Sequence, residues 1–174
     1  GKALPHCEIK IVNENGEEVN KREVGEIIVK TTSNMIGYWN LPNETKKTLK
    51  HGWLYTGDAG YMDEDGYVYV HDRVKDMIVS GGENVYPAEV ESAIFSHEMV
   101  SDVAVIGVPD QKWGEAVKAL VVLKDNCKAS EEDIINFAKQ RIASFKTPKS
   151  VEFIDELPRN PSGKILKKEL RKPY

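Results

Sequence analysis

The sequence has 174 residues, a length that suits one medium domain or one small domain with part of a neighbour. Its hydrophobic content of 40% and charged content of 30% are ordinary for a soluble globular protein, while its net charge of −4 provides no basic field for nucleic acid. Its two cysteines, Cys7 and Cys127, lie far apart and lack CxxC spacing, which argues against a structural zinc site and a disulfide framework.

Residues 1–74 combine short strand patterns with turn signals. The predicted strands are 8–12, 25–30 and 67–70. The sequence DEDG at 63–66 is typical of a hairpin turn and stands directly before the last of these strands. A short helix is predicted at 43–50, with Asn43 as its N-cap. This spacing indicates a small β-barrel or a curved sheet.

The pattern changes from about residue 75. Pro87 suits the first turn of a helix, where its missing N–H costs nothing, and Ser130 is a suitable N-cap for a second helix. A short basic helix is predicted after Gly163. The predicted strands of this half are 103–108, 117–123 and 151–154. Because strands and helices are mixed on a small sheet, we predict an α+β fold.

Two charged segments contain side chains that suit a ribose. Asp58 follows Gly57 in the sequence YTGD at 55–58, and its two oxygens can accept both ribose hydroxyls, although it can equally cap a turn. Arg73 stands among the alternating charges of 72–76, where its planar donor fork can reach nucleotide oxygens or remain solvated. The second segment also marks the predicted domain boundary, a short connection that permits rigid-body rotation.

Two glycine-containing segments suit contact with a ligand. In the sequence SGGENVYP at 80–87, Gly81 and Gly82 permit positive φ angles and close approach by a ligand, or form a tight turn between a strand and a helix. In 159–167, a proline and a glycine bracket a loop that exposes Lys164. A lysine there can neutralise charge on a phosphorus centre, but the pattern alone also fits an ordinary surface lysine.

Taken in order, the segments YTGD, DRVKD, SGGENVYPAEVE and NPSGKILKKELR resemble those of the adenylate-forming superfamily. That superfamily contains acyl-CoA synthetases, aryl-CoA ligases, adenylation domains and beetle luciferases. The resemblance covers essentially all 174 residues, including the connecting segments 102–110 and 145–149. The chain is similar to the C-terminal part of an acyl-CoA synthetase of the long-chain fatty-acid–CoA ligase kind.

The resemblance implies two domains. Residues 1–74 would be the β-rich end of the large N-terminal adenylation domain, its β-barrel subdomain, and residues 75–174 the mobile α+β C-terminal domain. The family's Ser/Thr/Gly-rich phosphate loop and its YGxTE-like segment do not occur in this sequence. We therefore expect the 174 residues alone to be inactive. We also expect an apolar cut surface on the β-rich part to favour self-association.

The resemblance also implies the reaction. Family members join a carboxylic acid to ATP, with Mg²⁺, giving an acyl-adenylate and pyrophosphate, and the thiol of CoA then attacks the mixed anhydride. Lys164 would contact the acid and the α-phosphate during adenylation. Asp58 and Arg73 would bind the ribose, and Glu83 would face the nucleotide. Lys75 would be the hinge about which the C-terminal domain rotates after adenylation.

A further set of residues would serve CoA after the rotation. Ser80, Gly81 and Gly82 would line the tunnel for the pantetheine arm, since a narrow glycine-lined channel suits a thin chain. The other expected CoA contacts are Trp113, Lys139 and Lys146. No metal ligands are expected among the residues of this chain.

The main interpretation is therefore an acid–thiol ligase that acts on a fatty acid, ATP and CoA. An adenylation domain that loads a carrier protein, and a non-enzymatic interaction module built from the same two parts, remain alternatives. No apolar run is long enough to span a bilayer and no signal peptide opens the chain. We therefore expect a cytoplasmic protein with possible peripheral membrane contact and no nucleic-acid partner.

Overall fold

The computed structural model describes all 174 residues, which divide into two compact units, Gly1–Lys75 and Asp76–Tyr174. Each unit is built on one five-stranded sheet. The predicted α+β class is confirmed. The division falls within a 3₁₀ turn at Val74–Asp76, one residue beyond the predicted boundary after residue 74.

The first unit is an antiparallel, half-barrel-like sheet with one short helix. Its elements are β1 (Cys7–Val12), β2 (Gly25–Thr31), α1 (Pro42–Thr48), β3 (Leu49–Lys50), β4 (Trp53–Met62) and β5 (Val68–Arg73). The strand order is β1-β2-β4-β3, and β5 also pairs with β4. Sequence patterns do not predict β4, because Gly57 and Gly60 interrupt its side-chain alternation. Gly60 is required there, since a Cβ would lie 2.2 Å from the Tyr69 carbonyl oxygen.

Helix α1 begins at Pro42, whose fixed φ and missing N–H suit the first helical turn. The predicted N-cap, Asn43, is wrong, because Leu41 holds the N-cap position and no side chain caps the helix. The helix ends at Thr48, before the predicted end at residue 50, because Leu49 is extended and begins β3.

The second unit is a mixed sheet with helices and a C-terminal segment packed on it. Its elements are β6 (Ile78–Ser80), β7 (Glu83–Val85), α2 (Pro87–Phe95), β8 (Val100–Asp110), β9 (Gly114–Leu123), α3 (Glu131–Lys139), β10 (Ser150–Phe153) and α4 (Lys167–Leu170). Strand β9 pairs antiparallel with β8 and β6 and parallel with β10. The helices and strands predicted for this half are present. A hairpin of β6 and β7 occupies the segment for which the sequence left open a tight turn from strand to helix.

Both faces of the second sheet are covered, which explains the continuous apolar runs of β8 and β9. Successive side chains of a strand point to opposite faces. Val105 therefore packs with the buried side chains of α2 and α3. Ala104 and Ile106, on the other face, pack with Leu157 and Leu170. The C-terminal segment is thus part of the core of this unit.

Helix α3 starts with a capping box at the N-cap that its sequence predicts. Ser130 Oγ accepts from the Asp133 N–H at 3.2 Å, and the Asp133 carboxylate accepts from the Ser130 N–H at 2.8 Å. These bonds satisfy two donors that the start of a helix would otherwise leave unpaired. The bond from the Ser130 backbone also lowers the pKa of Asp133. Ser130 is thereby confirmed as the N-cap.

A cluster of three side chains joins the C-terminus to the sheet and predicts a pH-dependent stability. The Glu152 carboxylate accepts from the Tyr174 phenol and lies 3.0 Å from Lys118 Nζ, and these contacts lower the pKa of Glu152. Because the folded pKa is the lower one, the stabilisation is present above the unfolded pKa and is lost as the pH falls through the folded value. Since Glu152 is 45% exposed, we expect Glu152→Gln to lower the free energy of unfolding only modestly at neutral pH.

Urea unfolding of the 174-residue protein and of Glu152→Gln at a series of pH values checks this expectation. The difference in free energy of unfolding should be about 0.5 kcal/mol at neutral pH, because solvent around the exposed carboxylate weakens the ion pair. It should shrink towards zero in acid, once the carboxylate is protonated in both states. A difference that stays constant across the series would contradict the assigned role of the carboxylate charge.

No helix is long and apolar enough to cross a membrane. No group of three or more His, Cys, Asp or Glu side chains is placed so that it could hold a metal ion. Cys7 and Cys127 are both free thiols.

Candidate functional site

Strands β4 and β5 bring two of the predicted nucleotide residues together. Their antiparallel register places Asp58 opposite Arg73, and Arg73 Nε lies 3.1 Å from Asp58 Oδ1. Arg73 Nη1 also donates to the Thr56 carbonyl at 3.3 Å. The side chains remain 37% exposed for Asp58 and 48% exposed for Arg73. The pair therefore offers a carboxylate and a guanidinium side by side on the surface of the first unit.

The backbone around Asp58 is held by two side chains that the sequence patterns do not reveal. Thr56 Oγ1 donates to the Ile27 carbonyl at 2.7 Å and accepts from the Asp58 N–H at 3.1 Å. The Glu26 carboxylate accepts from the Gly57 N–H at 2.9 Å. Thr56 lies within the YTGD segment, but Glu26 becomes visible only from the pairing of β2 with β4. Asp58 is thus held within a strand and does not cap a turn.

The predicted glycine segment is the turn of the β6–β7 hairpin. Ser80 pairs with Glu83 across this turn. Between them, Gly81 and Gly82 have φ angles of 61° and 86°, which favour glycine at both positions. A Cβ on Gly81 would lie 2.7 Å from a ring carbon of Trp113, whereas a Cβ on Gly82 would meet no atom within 4 Å. Gly81 is therefore a glycine both for its backbone conformation and for its contact with Trp113.

Three other predicted site residues differ in their surroundings. Ser80 is buried within β6, with 4% of its surface exposed. Glu83 is exposed at the start of β7 and forms no ion pair. Lys75 is exposed in the 3₁₀ turn and is the last residue of the first unit. Their roles in CoA binding, nucleotide contact and hinge motion stay predictions.

The second unit contains an open cavity of about 500 Å³. Its lining residues are Trp113, Ile135, Lys139, Ser144, Phe145, Thr147, Pro148 and Lys149. The ammonium groups of Lys112 and Lys149 lie 4.7 Å and 5.4 Å from the centroid of the Trp113 ring, within cation–π range. The cavity thus combines a large aromatic surface with positive charge.

Two of the three further CoA contacts expected from the sequence, Trp113 and Lys139, line this cavity, and Lys146 does not. Lys146 Nζ lies 2.7 Å from the Glu89 carboxylate of α2 and is mostly buried there. Its neighbours Phe145 and Lys149 line the cavity instead and were not singled out by sequence patterns. In an irregular segment, the chain geometry decides which side chains share a direction, and spacing alone does not reveal it.

Lys164 is presented by a closed hairpin loop. Arg159 and Ile165 form an isolated bridge at the base of this loop. The Asn160 N–H donates to the Lys164 carbonyl, and the Gly163 N–H donates to the Asn160 carbonyl, both at 2.9 Å. Gly163 has a φ of 84°, which closes the turn. The Lys164 side chain itself is exposed and makes no hydrogen bond or ion pair.

Most of the basic charge near the C-terminus is paired with acids. The ion pairs are Arg159–Asp102, Lys167–Glu91, Arg171–Asp76 and Lys172–Glu169. Lys167 and Glu91 are the most buried of these, with 13% and 21% of their side-chain surfaces exposed. The two basic side chains of residues 159–174 without an acidic partner are Lys164 and Lys168. The first three pairs attach the segment to other parts of its unit, while Lys172–Glu169 lies within the segment, and Lys164 is left available for another anion.

Known proteins similar to this chain include ligases, and residues 89–164 match the family described as AMP-binding enzyme C-terminal domain. The chain is 52% identical over 157 residues to a long-chain-fatty-acid–CoA ligase of Bacillus subtilis (strain 168), covering 90% of this chain and 28% of that protein. It is 48% identical over 171 residues to the fatty acid–[acyl-carrier-protein] ligase ScoC of Streptomyces coeruleorubidus, covering 98% of this chain and 33% of that protein.

A solved structure is similar over both units. It is the o-succinylbenzoate CoA synthetase MenE of Bacillus subtilis in complex with the acyl-adenylate intermediate OSB-AMP. The match has a TM-score of 0.92 and 42% sequence identity, and it covers 99% of this chain and 35% of that chain. The chain therefore spans about a third of the length of the proteins that it matches.

Proposed function

This chain belongs to the adenylate-forming enzymes, and on that premise we propose that it is the C-terminal part of a ligase that joins a carboxylic acid to CoA. In this proposal ATP, with Mg²⁺, converts a fatty acid into an acyl-adenylate, and the CoA thiol then displaces AMP. Support comes from the similar proteins, one named as a fatty-acid–CoA ligase and one solved with an acyl-adenylate. The activity is proposed for a whole protein of which this chain is a part.

One observation carries the proposal. Lys164 stands on a closed loop without an acidic partner, while three of the basic residues around it form ion pairs with other parts of the unit. An exposed ammonium group held in this way can meet the carboxylate and the α-phosphate as negative charge develops during adenylation. We therefore assign Lys164 as the catalytic cation of the adenylation step.

The Asp58–Arg73 pair is assigned to the ribose of ATP. Asp58 has two acceptor oxygens for the two ribose hydroxyls, and Arg73 orients it and adds donors of its own. So exposed an ion pair contributes little to folding stability, which favours a binding role over a structural one. Glu83 is assigned to the nucleotide side, and Lys75 to the hinge about which the second unit turns between the two half-reactions.

The cavity beside Trp113 is assigned to the adenine and phosphate end of CoA. A flat indole ring suits stacking on an adenine, and Lys139 and Lys149 in the cavity lining suit the phosphates. The hairpin residues Ser80, Gly81 and Gly82 are assigned to the pantetheine arm. The Gly81 N–H donates to the Trp113 carbonyl at 2.8 Å, so the two parts of the CoA site are adjacent. Lys146 is left as a weaker candidate because its charge is taken up by Glu89.

Separate assays of the two half-reactions test the proposal. The full-length protein is expected to exchange labelled pyrophosphate into ATP when a fatty acid is present, and to form acyl-CoA from supplied acyl-adenylate. A panel of fatty, aryl and short-chain acids identifies the acid that it prefers. If no acid supports exchange although ATP binds, the adenylation proposal is wrong.

The isolated 174-residue chain is expected to give no pyrophosphate release. Robust release by this chain alone would show that it holds a complete adenylation site and would contradict its assignment as a part.

Light scattering on the same sample tests the predicted self-association. A purely monomeric sample at high concentration would rule self-association out.

Replacing Trp113 with alanine tests the CoA assignment. We expect the KM for CoA to rise about tenfold, since stacking on an aromatic ring is worth roughly 1–3 kcal/mol per base. Adenylation should keep its rate. Thioester formation at varied CoA concentration measures the effect, and Phe95→Ala, which removes an exposed ring from α2, is the control. An unchanged KM for CoA in Trp113→Ala would contradict the assignment of this cavity to CoA binding.

A carrier protein is the second candidate for the acyl acceptor. The 48% identity to a protein named as a fatty acid–[acyl-carrier-protein] ligase favours it, because that protein carries its acyl group to a carrier. Both acceptors present the same pantetheine thiol, so the hairpin residues would serve either one. Competition between CoA and a pantetheine-loaded carrier protein in the second half-reaction decides between them.

A further inference from the structure

Arg159 and Asp102 connect the Lys164 loop to the central sheet of the second unit. We infer that they are positioning residues, which direct Lys164 during adenylation although neither touches the substrates. This inference rests on the proposed function, since it gives Lys164 the role of catalytic cation. We use the term Arg159 latch for the Arg159 guanidinium, the Asp102 carboxylate and the Gly163 carbonyl.

The latch uses two arms of one guanidinium. Arg159 Nη1 donates to the Gly163 carbonyl at 2.6 Å, and Nη2 donates to Asp102 Oδ2. Gly163 directly precedes Lys164, so the first bond holds the loop at the peptide that carries the catalytic side chain. Because the guanidinium is planar and rigid, fixing one arm on Asp102 fixes the direction of the other. A lysine at position 159 could not make both bonds in this geometry.

Asp102 is itself fixed at the start of β8. Its Oδ1 accepts from the Val103 N–H at 3.0 Å, which leaves Oδ2 for Arg159. The pairing of β8 with β9 shifts register between Val100 and Asp102, and such an irregularity changes the direction of a side chain. The carboxylate is 30% exposed, less than the 43% of its arginine partner. The latch is therefore anchored in the sheet at one end and reaches the loop at the other.

The shape of the loop is maintained separately, by Asn160. Its Oδ1 accepts from the Ser162 N–H at 3.0 Å, from the Ser162 hydroxyl at 2.8 Å and from the Lys164 N–H at 2.9 Å. These bonds keep the turn closed even without the latch. Loss of the latch should therefore leave the loop folded but free to change its direction relative to the sheet. Misdirection of a catalytic group reduces rate without unfolding the protein.

The test is Asp102→Asn in the full-length ligase. Asparagine keeps the acceptor for the Val103 N–H but lacks the charge, and turning its amide towards Arg159 opposes two donors. We expect the kcat of adenylation to fall about tenfold with the KM for ATP unchanged, because orientation and not ground-state binding is lost. Thioester formation from supplied acyl-adenylate should keep its rate. Glu152→Gln, which removes the carboxylate of another ion pair of the same unit, is the control and should leave both rates unchanged.

A double variant separates positioning from general destabilisation. If the latch acts only through Lys164, Asp102→Asn should have no further effect on adenylation in a Lys164→Ala background. A further tenfold loss there, equal loss in both half-reactions, or an unchanged adenylation rate in Asp102→Asn would each overturn the latch. If Lys164→Ala alone leaves adenylation intact, the proposed function fails together with the latch. If Lys164→Ala slows adenylation and Asp102→Asn does not, only the latch fails.

Discussion

Replacing Lys164 with alanine is expected to slow adenylation by about 100- to 1,000-fold, the range found when one preorganised donor to a developing charge is removed. We expect so large a loss because Lys164 has no acidic partner in its own unit, so its charge is available to the α-phosphate and the carboxylate. Thioester formation from supplied acyl-adenylate should continue, because the thiol attacks the carbonyl carbon in that step and no bond to phosphorus is made or broken. Pyrophosphate exchange and single-turnover thioester formation measure the two effects separately.

The matched control for this experiment is Lys168→Ala. Lys168 is an exposed lysine of the same basic segment, and it also has no acidic partner. The two replacements therefore remove the same charge from the same region of the unit. We expect Lys168→Ala to retain adenylation within about twofold, as for an ordinary surface residue. Equal losses in the two variants, or equal loss of both half-reactions in Lys164→Ala, would contradict the role of Lys164.

The strength of local sequence signals decided which elements could be predicted. Strands β8 and β9 have long apolar runs because both faces of their sheet are covered, and α3 has its capping box in four consecutive residues. Strand β4 contains Gly57 and Gly60, which are needed for close backbone approach and conceal the alternation. Strands β6 and β7 have three residues each, too few for any period to emerge.

The candidate site shows the same division between local and distant information. Asp58, Arg73 and Lys164 belong to short motifs and are visible in the sequence. Their supporting partners are not, because the bond from Gly57 to Glu26 spans 31 residues and the bond from Arg159 to Asp102 spans 57. Such partners are defined by strand pairing and packing, which a single sequence does not specify. The residues that direct a motif are therefore found only after the fold is known.

Gly81→Ala is expected to slow thioester formation and to spare adenylation, the reverse of the effect expected for Lys164→Ala. The new methyl group would lie 2.7 Å from the Trp113 ring, closer than carbon atoms can approach, so the ring or the hairpin has to move. Because both are assigned to CoA, we expect thioester formation to fall about 100-fold, the cost of displacing a site by roughly 1 Å. Adenylation should stay within about threefold of the original rate, since the lysine loop is untouched.

The backbone strain of Gly81→Ala needs its own control, because alanine at a φ of 61° also costs roughly 1–2 kcal/mol of stability. Gly66→Ala imposes similar strain at a φ of 80°, and no atom lies within 4 Å of its new methyl group. Gly66→Ala should lose stability but keep both half-reactions.

A double variant then tests whether the steric contact with Trp113 is the cause. If the collision accounts for the loss, removing the Trp113 ring should remove it. Once the lower stability of Gly81→Ala is allowed for, the double variant Gly81→Ala with Trp113→Ala should form thioester no more slowly than Trp113→Ala alone. Independent, multiplying losses would mean that the hairpin and the ring act separately. In that case Gly81 would be a glycine for its backbone conformation alone, and the two parts of the proposed CoA site would lose their physical connection.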